Sequence, residues 1–341
     1  MAALPPTATS AAASFYGGDD PLAPPADLPL WRARVLITAP RGYAGALGAR
    51  LLSAGADLVW VPGVRTQRLG EVECGPLDAA LAPLVAQARA GGDSPPPYAG
   101  ILFSSRAGVE AVLERLGQLT GDVGSRPTRA DAVAAGGAAL AAAGVPLWAL
   151  GADAGALTAA GAVPVRTPAV PSTAGLVAAL RNEGPWGRTD TFLAPVPAVG
   201  GGLTEPPVVP AFLAGLAALP GAPAVRAPPA YATLPGLTPG AAADVRTDLE
   251  AGRVGVIVFT STAEAAGLAG ALGEGDTGRA ALADAVTAGR VVLAAHGPTT
   301  AAGVEAVLGC RVAIVSRDAS SFAGVVEAVE RGLAGERARA G

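Results

Sequence analysis

Two stretches of this chain repeat one strand–turn–helix pattern, and that duplication constrains the fold more than any other feature. Residues 100–116 read GILFSSRAGVEAVLERL and residues 255–272 read GVIVFTSTAEAAGLAGAL. A second pair follows each copy: LWALGADAGALTAAGAVPV (147–165) with PSTAGLVAAL (171–180), and VLAAHGPTTAAGVEAVLGCRVAIV (292–315) with ASSFAGVVEAV (319–329). Each copy begins with a short apolar run, continues through a turn rich in hydroxyls or glycine, and ends in a helical period. Such runs are buried parallel strands, and strand–helix alternation along the whole chain gives an α/β protein with parallel sheets. Two copies without a strict period imply two similar sheets, each presenting hydroxyl-bearing turns at its carboxyl edge. Ligands of open α/β sheets bind at that edge, and two facing edges would make an interdomain cleft.

The candidate site residues follow from these turns. Val291–Ala295 is a strand that stops at His296-Gly297-Pro298 and delivers Thr299 and Thr300 to a helix predicted from about Ala301. Free N–H groups in such a first turn suit a carboxylate or phosphate, while a threonine there can equally cap its own helix. The weaker copy at 147–162 opens its helix at Gly151. Strand ends at Ser104-Ser105 and Thr260-Ser261 offer further hydroxyls, each able to cap the helix it precedes or to meet a ligand. The opening βαβ unit, Val35–Val61, carries Gly42, Gly45 and Gly48 without a GxGxxG arrangement, so a dinucleotide site is not supported.

Composition narrows the function. A net charge of −4 over 341 residues gives no basic field for nucleic acid or an anionic membrane. The longest uncharged run, Ala132–Ala152, is Ala- and Gly-rich and broken at Pro146, unlike a spanning helix. One histidine, His296, leaves little for a metal site or a Ser-His-Asp triad. Cys74 and Cys310 make no CxxC and read as buried thiols. Residues 1–30 lack a hydrophobic period and read as a disordered tail. As a transit segment that tail has the Ser and Thr but also acids, with no arginine before Arg32.

At VIVFTSTAEA (Val256–Ala265), HGPTTAAGVEAVLG (His296–Gly309), ILFSSRAGVEAVL (Ile101–Leu113) and the tyrosine of AYATLPG (Tyr231), the chain resembles uroporphyrinogen-III synthase, over about Val35–Leu333. The resemblance implies two similar parallel-sheet α/β domains joined by a two-stranded ladder, with a central cleft. Here residues 33–64 with 235–335 would form a discontinuous first domain and 68–230 the second. Residues 65–67 and 231–234 would be the linkers, and 1–32 the tail. It also implies a reaction that needs no cofactor or metal: hydroxymethylbilane loses its terminal hydroxyl as water and closes into uroporphyrinogen III. Ring D is inverted on the way, through an azafulvene cation and a spiro intermediate. Orientation is the main demand of that chemistry.

Carried over by position, Tyr231 becomes the acid or hydrogen-bond donor to the departing hydroxyl, with a packed hinge tyrosine as the other reading. Thr299 and Thr300 become carboxylate binders, with Ser261, Thr260, Ser104, Ser105, Gly151 and Gly297 lining the same cleft. Hydroxymethylbilane is the implied partner, the upstream deaminase a candidate one, and a monomer is expected. A plastid destination is expected for a photosynthetic source, with the cytoplasm as the alternative. The chain departs from the family pattern at His296, where an aliphatic residue is usual, and at Ala154, where a Thr or Ser is expected and Asp153 adds a negative charge beside it. It departs also at Thr38-Ala39-Pro40-Arg41, in place of Thr-Arg-Pro, and over the Pro-rich segment Pro195–Pro210. These departures keep open a divergent, non-catalytic relative that clamps a tetrapyrrole or another polycarboxylate.

Overall fold

The computed structural model describes residues 28–91, 94–121, 127–273, 277–318 and 321–340. Nearly all of the predicted tail, part of the loop at 91–97 and Ser320 at the start of the last helix lie outside these residues. In chain order the first elements are β1 (Arg34–Ile37), α1 (Arg41–Ser53), β2 (Asp57–Trp60), β3 (Val64–Arg68), α2 (Gly75–Arg89), β4 (Gly100–Phe103), α3 (Arg106–Thr120) and α4 (Arg129–Ala143). Then come β5 (Leu147–Ala149), α5 (Asp153–Ala159), β6 (Val165–Arg166), α6 (Thr173–Glu183), β7 (Thr191–Leu193), β8 (Val196–Val199), α7 (Val208–Ala217), β9 (Ala224–Arg226) and β10 (Pro229–Pro235). The chain closes with α8 (Pro239–Glu250), β11 (Val256–Phe259), α9 (Thr262–Leu272), α10 (Thr277–Thr287), β12 (Val292–Ala295), α11 (Pro298–Leu308), β13 (Ile314–Val315) and α12 (Phe322–Ala340).

Two five-stranded sheets carry the fold, ordered β13-β12-β11-β1-β2 and β6-β5-β4-β7-β9. Every pairing within them is parallel, for example Val35 opposite Val256 and Ile101 opposite Leu147. The duplicated segments occupy equivalent places: β11, β12 and β13 in one sheet stand where β4, β5 and β6 stand in the other. The two remaining strands, β1 and β2, stand where β7 and β9 do, although they come first in the chain. One sheet is therefore a circular permutation of its copy, with the break falling where the chain leaves the first sheet and later returns.

Side-chain alternation explains why both faces of each sheet are covered. In β11, Val256 and Val258 pack with Leu47, Leu51 and Val325 of α1 and α12, while Ile257 and Phe259 pack with Val245, Leu268 and Val304 of α8, α9 and α11. In β4, Ile101 and Phe103 face Leu81, Val112 and Leu140, and Leu102 faces Leu176 and Phe212. These strands are apolar at nearly every position because neither face meets water.

Between the sheets in sequence, β3 and β10 pair antiparallel, with Arg68 opposite Tyr231 and Arg65 opposite Leu234. The expected pair of strands gains a third: β8 lies parallel along the other side of β10. Its Val196-Pro197-Ala198-Val199 sits in a Pro- and Gly-rich stretch that reads as the end of one strand and a loop. Pro197 is tolerated because β8 is an edge and has no further neighbour to donate to. The helix after β1 begins at Arg41, with Pro40 as its N-cap, and the helix after β12 begins at Pro298 rather than near Ala301 as its sequence suggests. Among the described residues no helix is long and apolar enough to cross a membrane.

Candidate functional site

At the carboxyl end of β4 the backbone of Ser105 is extended, and its hydroxyl accepts the N–H of Gly108 at 3.1 Å, capping α3. The same oxygen lies 2.9 Å from the Tyr231 hydroxyl, 126 residues away in sequence. A Cβ on Gly108 would press to 3.2 Å on the Ser105 hydroxyl and meet Tyr231 Cε1 at an ordinary contact distance of 3.8 Å. Tyr231 is only 8% exposed. Burial pushes its phenol above the ordinary range, the Ser105 hydrogen bond opposes this, and Asp153 adds to it. At neutral pH the ring keeps its proton and is a hydrogen-bond donor.

Arg106, next in sequence, brings Nε to 3.4 Å from Asp153 Oδ1 and donates from Nη2 to the Ala152 carbonyl at 3.4 Å. Asp153 opens α5 just past Gly151, whose φ of +44° turns the chain out of β5. Its carboxyl is pushed up to about 6: burial is the largest cause, Arg106 opposes it and Glu110 adds. Tyr43, on α1 of the other sheet, is held well above its usual range by burial first and then by Asp153, with Arg106 opposing. A raised carboxyl stabilises the fold fully below its unfolded value near 3.8, and that contribution is lost as pH rises through about 6. Asp153→Asn is expected to gain up to ~2 kcal/mol at pH 8 and little at pH 4. Urea unfolding at both pH values checks this, and an equal effect at both would contradict it.

The strand-end hydroxyls of the first sheet have a different fate. Glu264, wholly buried on α9, takes the N–H of Thr260 at 2.9 Å and the Ser261 hydroxyl at 3.1 Å, and it also bonds the Thr260 hydroxyl. The Thr38 hydroxyl is 2.8 Å from Glu264 Oε2 and 3.0 Å from the Val258 carbonyl. That hydroxyl has one proton for two acceptors, so it forms two full hydrogen bonds when Oε2 carries a proton and one shared bond when it does not. Burial raises this carboxyl, in keeping with a protonated state. Thr38 and Thr260 end β1 and β11, the neighbours between which the strand order reverses, where a ligand would ordinarily enter. Here a carboxyl of the chain itself fills that place. Glu264 is legible in the sequence as the last residue of a Ser-x-x-Glu capping pattern, Ser261 to Glu264.

Thr299 and Thr300 occupy the first turn of α11, whose N-cap is Gly297 and whose first residue is Pro298. Neither threonine caps this helix. Thr299 is exposed and its hydroxyl has no partner among the described residues, and Thr300 donates to the Thr260 carbonyl at 3.5 Å. Among the described residues no acceptor meets the N–H groups of Thr299 and Thr300, while Ala301 N–H closes the turn onto Gly297. His296, which opens this turn, has Nε2 3.0 Å from the Ser321 carbonyl and its ring 5.3 Å from Phe322, which meets Tyr43 edge-on at 5.8 Å. The histidine is thereby tied to the start of α12. Ser104 is half-buried and its side chain makes no hydrogen bond among the described residues. Sequence alone does not single out Arg106 and Tyr43 as site residues, because the groups they act on come from distant elements.

The family model described as uroporphyrinogen-III synthase HemD matches residues 46–325. Among solved structures, a mutant uroporphyrinogen III synthase from the extremely thermophilic bacterium Thermus thermophilus aligns with a TM-score of 0.55 at 18% identity, covering 89% of this chain and 99% of that one. The wild-type enzyme of the same organism in another crystal form aligns at 0.43, with 19% identity and coverage of 89% and 99%. The first of these likenesses speaks to the fold. No curated protein matches the chain significantly.

Proposed function

Because the chain belongs to the uroporphyrinogen-III synthase family, we propose that it cyclises hydroxymethylbilane to uroporphyrinogen III, with loss of water and inversion of ring D. The observation that carries the reading to particular residues is the hydrogen bond between Tyr231 and Ser105 at the end of β4. Ser105 is fixed by capping α3, so it fixes the phenol in turn. A buried phenol that keeps its proton donates to an oxygen leaving carbon, and its orientation costs nothing at the moment of reaction.

In this reading the two sheets with their helices are separate domains, 33–64 with 235–335 and 68–230. Residues 65–67 and 231–234 are the crossings, and the linear substrate folds between the carboxyl edges. The unpaired N–H groups at Thr299 and Thr300 suit a substrate carboxylate, supported by the positive end of α11. Thr260 and Ser261 then serve the site indirectly, by locking the β11–α9 turn onto Glu264.

Tyr231→Phe tests the assignment, since it removes one oxygen and leaves the ring. The expected result is a fall in kcat of about a hundredfold with little change in KM. The product should shift toward isomer I, because spontaneous closure then competes. A variant within twofold of wild type in kcat, making the same isomer, would contradict the role.

A further inference from the structure

Tyr231 can orient a departing hydroxyl, but a phenol raised above its usual range is a poor source of the proton that hydroxyl needs. The same rim holds a better one. Asp153 has a side chain 17% exposed whose carboxyl makes one contact, at 3.4 Å with Arg106, and no other hydrogen bond among the described residues. Glu264, by contrast, has every oxygen engaged. A mostly buried carboxyl with so little support is either a cost to the fold or a group kept for use. Its sign also needs a reason, because a second anion repels a polycarboxylate substrate unless it serves something positive.

Resting on the synthase reading above, we propose that Asp153, paired with Arg106 beside the Tyr231–Ser105 hydrogen bond, is the general acid of the dehydration. Its carboxyl passes a proton to the terminal hydroxyl as the C–O bond breaks, and the bonding pair leaves with the oxygen as water. The pyrrole nitrogen supplies the electrons that replace that bond, giving the azafulvene cation. The Asp153 carboxylate left behind faces that cation and stabilises it. After attack, fragmentation and reclosure, the ring carbon that regains aromaticity loses a proton, which returns to Asp153. The balance is hydroxymethylbilane to uroporphyrinogen III and water, with no oxidant or reductant.

The groups that face Asp153 agree with the role. From α3, Arg106 favours the carboxylate and Glu110 the acid; Tyr43 from α1 and Tyr231 from β10 face it as neutral phenols. A carboxyl that titrates at about 6 exchanges its proton readily near neutral pH.

The full chain carrying Asp153→Asn, supplied with enzymatically generated hydroxymethylbilane, tests this. Expected are a kcat lower by about a hundredfold, a KM within about threefold, and partial recovery in Asp153→Glu. Wild-type kcat should fall as pH rises through the pKa of this group, and the Asn variant should lack that limb. An Asn variant within twofold of wild type with the same pH profile would overturn the proposal. So would an Arg106→Gln/Asp153→Asn double variant that regains the lost activity, because the carboxyl would then only balance the arginine. Wild type that yields isomer I alone would remove the synthase reading itself, a separate failure.

Discussion

Glu264→Ala is expected to lower the stability of the chain by about 3–5 kcal/mol, a large share of the total for a domain. The carboxyl is wholly buried and satisfies the Thr260 N–H and the hydroxyls of Thr260 and Ser261, all at the turn between β11 and α9. Truncation leaves those donors without an acceptor and opens a void where the strand order reverses. Glu264→Gln is expected to cost about 1 kcal/mol, because an amide can still donate to Thr38 and accept from two hydroxyls but loses the Thr260 N–H. The pH dependence separates the two causes. Burial raises the Glu264 carboxyl, so its contribution is complete at low pH and is lost as pH rises through its folded value. The Gln variant has no such loss and should draw level with wild type, or pass it, in alkaline solution. Urea denaturation across pH checks this. A Gln variant that loses stability in parallel with wild type at high pH would contradict a protonated Glu264.

The second large effect is steric. Helices α3 and α4 cross at Gly117 and Gly136, each pressed onto the other's backbone. A Cβ on Gly117 would stand 1.9 Å from the Ala132 carbonyl oxygen, and one on Gly136 1.9 Å from that of Leu113. A carbonyl cannot swing aside as a side chain can, so an added methyl must part the helices. Gly136→Ala is expected to destabilise by about 3 kcal/mol, well beyond the ~1 kcal/mol that Ala gains over Gly in a helix. Gly270 of α9 is the control, because a Cβ there meets nothing within 4 Å. Gly270→Ala should therefore be neutral or stabilising by up to ~1 kcal/mol. Thermal unfolding of both variants decides the matter, and equal midpoints would refute the close approach. The consequence reaches the site, since α3 carries Ser105 at its cap and Arg106 in its first turn.

How much of this is legible in the sequence depends on how local each feature is. The duplicated strands are legible because VIVF and ILF are buried on both faces, which leaves an uninterrupted apolar run. β8 is not, because edge strands tolerate proline and Pro197 reads as a breaker. The start of α11 lies one turn earlier than its sequence suggests: Gly297-Pro298 reads as a connection, yet proline is at home in the first helical position. That shift matters, because it moves Thr299 and Thr300 from capping positions to the open first turn. Within the site, Tyr231 is legible through the family resemblance, whereas its pairing with Ser105 joins residues 126 apart and no local pattern announces it. Asp153 stands out in the sequence as a departure from the family pattern. Its meaning emerges only where Arg106, Tyr43 and Tyr231 share its surroundings.

The most direct measurement is the isomer that the wild-type chain makes. Purified protein is supplied with hydroxymethylbilane generated in the same tube, and the products are oxidised and separated by chromatography. Uroporphyrin III in excess over the spontaneous isomer I is the predicted result. Isomer I alone, at the rate seen without protein, would contradict the account.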